Sequence, residues 1–81
     1  EMIVNVDSEG DIYLDGERFS EEQVAQRFRR AQADNPGNQS VVIRGNEGAD
    51  WKFVARIMSL CNEAEIQDYR VAVIAEDGVE E

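Results

Sequence analysis

Residues 41–45 are Val41-Val42-Ile43-Arg44-Gly45, a run of β-branched side chains that ends in arginine and glycine. Such a run predicts a strand buried inside a sheet. After the acidic turn Asn46-Glu47-Gly48, residues 50–64 repeat apolar side chains at helical spacing and predict a helix that covers this strand. We therefore expect the rest of the chain to pack around this strand and this helix.

The composition predicts one small globular domain, residues 1–81, because 42% of the 81 residues are hydrophobic and 32% are charged. The net charge of −10 at pH 7 would repel the phosphates of nucleic acid and of an anionic membrane surface. The chain has no His, the usual general base near neutral pH and the commonest zinc ligand. We therefore expect no nucleic-acid partner, no catalytic residues, and no metal or cofactor.

Neither a membrane span nor a disulfide is expected within this chain. No segment approaches the roughly 18 consecutive apolar residues of a membrane-spanning helix. The chain begins at Glu1 rather than Met, which suggests an excised segment or a processed product, with any signal or anchor upstream. The single cysteine, Cys61, lies on the predicted core side of a helix, which favours a small buried apolar residue over a reactive thiol.

The first third of the chain predicts a β-hairpin. Met2–Val6 and residues 11–14 alternate apolar and polar side chains on either side of a Gly-containing turn. The register of an antiparallel pair would place Ile12 and Leu14 on the core face and Tyr13 on the opposite face.

A helix start follows, in Phe19-Ser20-Glu21-Glu22-Gln23-Val24. Ser20 is the expected N-cap, Gln23 completes a capping box, and Phe19 would pack on Val24. Glu17-Arg18-Phe19 is expected only to lead out of the hairpin.

Residues Val24, Phe28 and Ala31 recur at helical spacing and predict the buried stripe of this helix. The string Asn35-Pro36-Gly37-Asn38 ends it. Three arginines could form an anion-binding or partner-binding patch, but a solvated face that complements the helix dipole is favoured. These are Arg27, Arg29 and Arg30.

The second half predicts a strand over residues 39–44, a helix capped by Asp50, and a last strand over residues 69–75. Residues 76–81 are expected to be a frayed acidic tail. Trp51 is expected to clamp the junction between strand and helix rather than to stack on a ligand. It begins the predicted apolar stripe of Trp51, Val54, Ile57, Met58 and Cys61.

The predicted order is β-β-α-β-α-β, an α+β two-layer sandwich with two helices on one face of a four-stranded mixed sheet. If both helices cover the same face, each new strand is added on the same side of the previous one. The strand order is then 1-2-3-4, and the other face of the sheet stays bare. The last strand would then be an edge, and its stretch Val71-Ala72-Val73-Ile74 contains none of the charges or prolines that normally protect an edge. Tyr69, Val71, Ala72, Val73 and Ile74 become candidate partner or dimer contacts, with Tyr13 on the bare face. The alternative is that the acidic tail or the first strand covers this edge.

Two turns resemble ion sites only in outline. In Asp7-Ser8-Glu9-Gly10-Asp11 the glycine comes too early for a calcium loop. The turn Gly45-Asn46-Glu47-Gly48 lacks the lysine of a phosphate loop.

Several strings resemble the periplasmic domain of the ExbD/TolR biopolymer-transport family. Residues 10–17, Gly-Asp-Ile-Tyr-Leu-Asp-Gly-Glu, resemble its G-x-I-Y-L-N-G-x stretch, with Asp15 where Asn is usual. Residues 41–45 with Trp51 resemble its V-V-I-R-A-D … Y segment, and Met58 matches the Met of its second helix. Phe19-Ser20-Glu21-Glu22 is similar to the entry of its first helix. Two departures are Glu65, where Gly is usual, and a longer connection over residues 66–70.

This resemblance implies the periplasmic domain of a single-pass bacterial inner-membrane protein, without enzymatic activity. The missing transmembrane helix would carry a proton-transferring Asp and contact an ExbB/TolQ-like membrane channel protein. The complex would use the proton motive force to drive a TonB-like or TolA-like protein, and the full protein would be a dimer. A TolR-like peptidoglycan-binding domain is the alternative. An acylphosphatase-like enzyme, which begins β-α-β, disagrees with the predicted order.

Overall fold

The computed structural model describes residues 1–75 and contains within them two helices and a five-stranded mixed sheet, which confirms the α+β class. The expected acidic tail, residues 76–81, lies outside the described residues. The elements in chain order are β1 (Met2–Val6), β2 (Ile12–Leu14), β3 (Glu17–Phe19), α1 (Glu21–Asp34), β4 (Ser40–Asn46), α2 (Trp51–Glu63) and β5 (Asp68–Ile74).

The strand order is β3-β2-β1-β4-β5, so the predicted four-stranded order 1-2-3-4 is wrong. Here β1 lies at the centre, antiparallel to β2 and parallel to β4, and β5 extends the sheet parallel to β4. The unpredicted β3 pairs antiparallel with the far side of β2. Since β3 occupies that side of β2, β4 joins the sheet at the free side of β1.

A tight turn at Asp15-Gly16 explains the extra strand. Both residues have positive φ, 55° at Asp15 and 81° at Gly16, as a two-residue type I′ hairpin requires. The turn brings Glu17 opposite Leu14 and Phe19 opposite Ile12. The segment expected only to leave the hairpin is therefore its third strand.

One hydrophobic core lies between the sheet and both helices. Alternate residues of β1 and β2 point into it, and Tyr13 is on the opposite face, as predicted. The side chains with 1% exposure or less are those of Val4, Val6, Leu14, Val24, Phe28, Val41, Ile43, Ile57, Cys61 and Ile66.

The start of α1 is as predicted. Ser20 Oγ accepts a hydrogen bond from the Gln23 N–H at 3.1 Å, and Gln23 Oε1 accepts one from the Ser20 N–H at 2.8 Å. Val24, Phe28 and Ala31 form the buried stripe. The helix continues to Asp34, so the three arginines lie before its last turn and do not complement its C-terminal dipole as expected.

The core face of α2 consists of Val54, Ile57, Leu60 and Cys61, with Met58 partly buried beside them. Asp50 caps the helix, because its Oδ1 accepts a hydrogen bond from the Lys52 N–H at 2.9 Å. Trp51 is 58% exposed, so its expected place in the stripe is wrong. In residues 1–75, neither helix is long and apolar enough to cross a membrane.

A left-handed residue closes α2 at Glu65, where the family that the sequence resembles usually has glycine. Glu65 has φ 63°, its N–H donates to the Asn62 carbonyl at 3.0 Å, and the Ile66 N–H donates to the Cys61 carbonyl at 2.9 Å. These two bonds form a Schellman motif, and the buried Ile66 supplies its apolar contact. The motif directs the chain from α2 back to β5.

Because an L-residue in the left-handed region is strained, we expect Glu65→Gly to raise the free energy of unfolding by about 0.5–1 kcal/mol. Glu63→Gly is the matched control, because residue 63 is helical and glycine there should cost about 1 kcal/mol. Urea denaturation of both variants measures the difference. Equal losses in the two variants would contradict the assignment of strain to Glu65.

Candidate functional site

The two edges of the sheet differ in how well they are protected. β3 has only three residues, and Glu17 and Arg18 put charges on it. β5 has seven residues, and its last four, Val71-Ala72-Val73-Ile74, carry no charge and no proline. No strand of residues 1–75 pairs with the outer side of β5. The prediction that the last strand is an edge is confirmed, and a covering role for the first strand is wrong because β1 is central.

The backbone of β5 presents alternate residues to the free edge. The Glu47 N–H donates to the Ile74 carbonyl at 2.9 Å, so the peptide groups of Ile74 face β4. In a strand, the N–H and C=O of one residue point the same way and those of the next point the opposite way. Tyr69, Val71 and Val73 therefore direct their N–H and C=O groups outward.

The side chains of the same three residues lie on the helix-covered face. Tyr69 and Val71 are partly buried against the core, and the Tyr69 hydroxyl donates to Asn62 Oδ1 of α2 at 3.3 Å. Val73, beyond them, is 68% exposed. Ala72 and Ile74 lie on the opposite face, so the five predicted contacts of β5 occupy both faces of one edge strand.

Tyr13, the sixth predicted contact, belongs to a separate surface. It lies in β2, with β1 and β4 between it and β5. Register places Tyr13 beside Arg18 and Asn5, and it places Asn5 beside Arg44. The structure therefore does not bring Tyr13 together with the β5 residues.

Three arginines of this uncovered face, Arg18, Arg44 and Arg70, were not predicted as site residues. The position of Arg44 between the buried Ile43 and Gly45 was a usable signal. Arg18 pairs with Asp11 at 2.9 Å, and Arg70 with Glu1 at 3.6 Å. These pairs are largely solvent-exposed and contribute little stability.

The two turns considered as ion sites use their polar groups internally. Asp7 Oδ1 accepts hydrogen bonds from the Glu9 and Asp11 N–H groups at 3.0 and 2.9 Å. Asn46 Oδ1 accepts one from the Gly48 N–H at 2.7 Å. Among residues 1–75, no three His, Cys, Asp or Glu side chains are placed to hold a metal ion.

The buried Cys61 is not an activated nucleophile. Burial disfavours the thiolate and raises the pKa of Cys61 to about 11. The thiol therefore stays protonated at neutral pH, consistent with the predicted packing role.

A cavity of about 860 Å³ opens near the C-terminal ends of both helices, at the end of the sheet where β5 begins. Gln32 in its wall is already engaged, since its Nε2 donates to the Glu65 carbonyl at 2.8 Å and its Oε1 accepts from the Gly37 N–H at 3.3 Å. The cavity is open and polar, and it lies at the start of β5 rather than along the uncharged end of the edge.

Comparison with known protein families found a match over nearly all of the chain. The family model for ExbD, described as biopolymer transport protein ExbD/TolR, matches residues 1–76. Among curated proteins, no match to the chain was found. The matched residues include every strand and helix of the structure, from β1 through β5. The chain therefore belongs to the ExbD/TolR family of biopolymer transport proteins.

Proposed function

We propose that this chain is the periplasmic, partner-binding domain of an energy-transducing complex driven by the proton motive force. In this role it dimerises and contacts a TonB-like protein during transport across the outer membrane. Family membership supports the general part of the proposal, because ExbD/TolR proteins are inner-membrane-anchored transport proteins rather than enzymes. They act in membrane complexes with ExbB/TolQ-like and TonB/TolA-like partners.

The free edge of β5 is the observation that carries the proposal. An extended segment can add to such an edge, with backbone hydrogen bonds giving affinity and alternate side chains giving specificity. Val71 and Val73 offer outward N–H and C=O groups next to uncharged side chains, and natural edges of this kind are normally protected. We infer that the protein keeps this edge open because a partner strand uses it.

Dimerisation belongs to the membrane-anchored protein rather than to the isolated domain. Two copies with a net charge of −10 repel each other in solution. An anchor outside this segment, held by an ExbB/TolQ-like channel protein, would raise the effective concentration of the two domains.

We expect Val73→Pro to weaken binding of the TonB-like partner from the same genome at least tenfold while the domain stays folded. Proline removes the outward N–H of residue 73 and leaves the β4–β5 hydrogen bonds intact. Unfolding stability should therefore fall by less than about 1 kcal/mol. Calorimetric titration with the partner's periplasmic segment measures affinity, and urea denaturation measures stability.

Ala72→Pro is the matched control, because the N–H of residue 72 faces β4. Losing that ladder bond should cost about 1–3 kcal/mol of stability. If folded Val73→Pro protein binds its partner and dimerises as well as the parent, the edge is not the site. The uncovered face around Tyr13 then becomes the better candidate.

A further inference from the structure

The flank of α2 that faces β5 can be identified from two contacts. Arg56 Nε lies 2.9 Å from Glu21 Oε1 of α1, so that side of α2 faces the other helix. Asn62 lies on the opposite side and accepts the hydrogen bond from Tyr69 of β5. Trp51, Ala55 and Met58 precede Asn62 at intervals of three and four residues, which places them on the same flank. This flank is therefore the side of α2 nearer to β5.

Helix geometry places Trp51 toward the end of β5 that contains Val73. Val54 packs on Gly45 so closely that a Cβ there would lie 3.0 Å from Val54 Cγ2, and Gly45 is the register partner of Val73. Trp51 is one helical turn before Val54 and therefore lies beyond Gly45, toward the end of β5. Trp51 is 58% exposed and Val73 is 68% exposed.

Together these side chains form an apolar surface along the edge, which we call the ledge: Trp51, Met58, Val71 and Val73. A strand that adds to β5 turns every second side chain toward the helix-covered face. Those side chains would lie beside Val71 and Val73, on the side of the sheet that α2 covers. The ledge thus explains why a tryptophan expected in the core is exposed at this position.

We propose that the ledge selects the strand that docks on β5, and that this strand is positively charged with apolar residues at alternate positions. The proposal rests on the proposed function of the β5 edge. The apolar residues of the docking strand are inferred from the ledge, and its positive charge is inferred from the charges around the β5 edge. Asp50 and Asp68 flank the two ends, and the net charge of the chain is −10. The nearby positive side chains are engaged elsewhere, because Arg70 pairs with Glu1 and the Lys52 ammonium lies 5.3 Å from the centre of the Phe53 ring. A second copy of this chain would bring the same charge and be repelled.

The test uses a nine-residue synthetic peptide, Lys-Val-Lys-Val-Lys-Val-Lys-Val-Lys, and a counterpart with Glu in place of Lys. Trp51 is the only tryptophan, so its fluorescence reports directly on the ledge. We expect the Lys peptide to shift the Trp51 emission to shorter wavelength and to bind at least tenfold more weakly in 500 mM than in 50 mM salt. The Glu peptide should give no shift.

Amide hydrogen exchange gives an independent readout of the edge itself. The Lys peptide should slow exchange at the outward N–H groups of Val71 and Val73. Trp51→Ala should weaken its binding at least tenfold by this measurement. Ile3→Ala, which removes an exposed apolar side chain from the uncovered face, should leave binding unchanged.

The outcomes separate the ledge from the edge. Slowed exchange at Val71 and Val73 with an unshifted Trp51 emission, or with full binding by Trp51→Ala, overturns the ledge and leaves the edge standing. If neither peptide slows amide exchange at Val71 and Val73, and the domain also fails to bind its natural partner, both the ledge and the edge are overturned. Equal binding of the Glu peptide refutes the charge selection. A Trp51 shift that follows protein concentration without peptide makes a second copy the occupant and refutes the proposal.

Discussion

Replacing Ile43 by Ala should lower the free energy of unfolding by about 2–5 kcal/mol. Ile43 has no exposed surface, and it lies in β4 between its register partners Val4 of β1 and Val71 of β5. Truncation removes buried methyl groups and leaves a cavity that the rigid parallel strands close only in part. In a domain of this size the loss is a large fraction of the total stability.

The urea midpoint of Ile43→Ala measures this loss, and Ile3→Ala is the matched control. Ile3 carries the same side chain in the neighbouring strand but is 41% exposed on the uncovered face. The control should lose less than about 1 kcal/mol. A similar small loss for Ile43→Ala would remove Ile43 from the core.

Replacing Phe28 by Ala should cost about 3–5 kcal/mol, because a whole aromatic ring leaves the core. Phe28 is fully buried at the middle of the stripe with which α1 covers the sheet. For a domain of this length, the melting temperature should fall by roughly 12 °C or more.

Thermal unfolding followed by circular dichroism measures the effect. Arg29→Ala changes the next residue of the same helix, whose side chain is exposed, and should stay within about 0.5 kcal/mol of the parent. If both variants melt together, α1 does not pack on the sheet through Phe28.

Local structure was predictable wherever the residues that stabilise it lie close together in the sequence. Ser20 and Gln23 satisfy each other's backbone groups within four residues, so the start of α1 needs no tertiary information. The alternation around Tyr13 likewise follows from strand geometry alone. These predictions were confirmed because no distant contact competes with them.

The order of strands was not predictable by the same reasoning. Side-chain alternation in β1 says which face is buried but not which strand lies on either side. The neighbours of β1 depended on β3, because β3 occupies the outer side of β2. The three residues of β3 include two charged ones and do not predict a strand. The Asp15-Gly16 dipeptide was the usable evidence, since it favours a hairpin that fills the outer side of β2.

The edge that carries the candidate site was predicted from the terminal place of the last strand, and that place survived the error in strand order. Its uncharged stretch was the reason to expect a partner there. The exposure of Trp51 was not predicted, because its spacing from Val54 also fits a core position. Beyond Gly45, β4 has no core side chain on which Trp51 could pack, and the sequence alone does not show this.

The central position of β1 also has a consequence for the order in which the protein folds. Met2 pairs with Val41, so one side of the first strand stays open until α1 and β4 have been synthesised. Closing the long loop between β1 and β4 costs chain entropy before the parallel contacts form and offset that cost. Parallel pairings of this kind therefore form slowly. During synthesis the hairpin of β1 and β2 would therefore have an unpaired inner edge, exposed to neighbouring chains until the second half of the chain pairs with it.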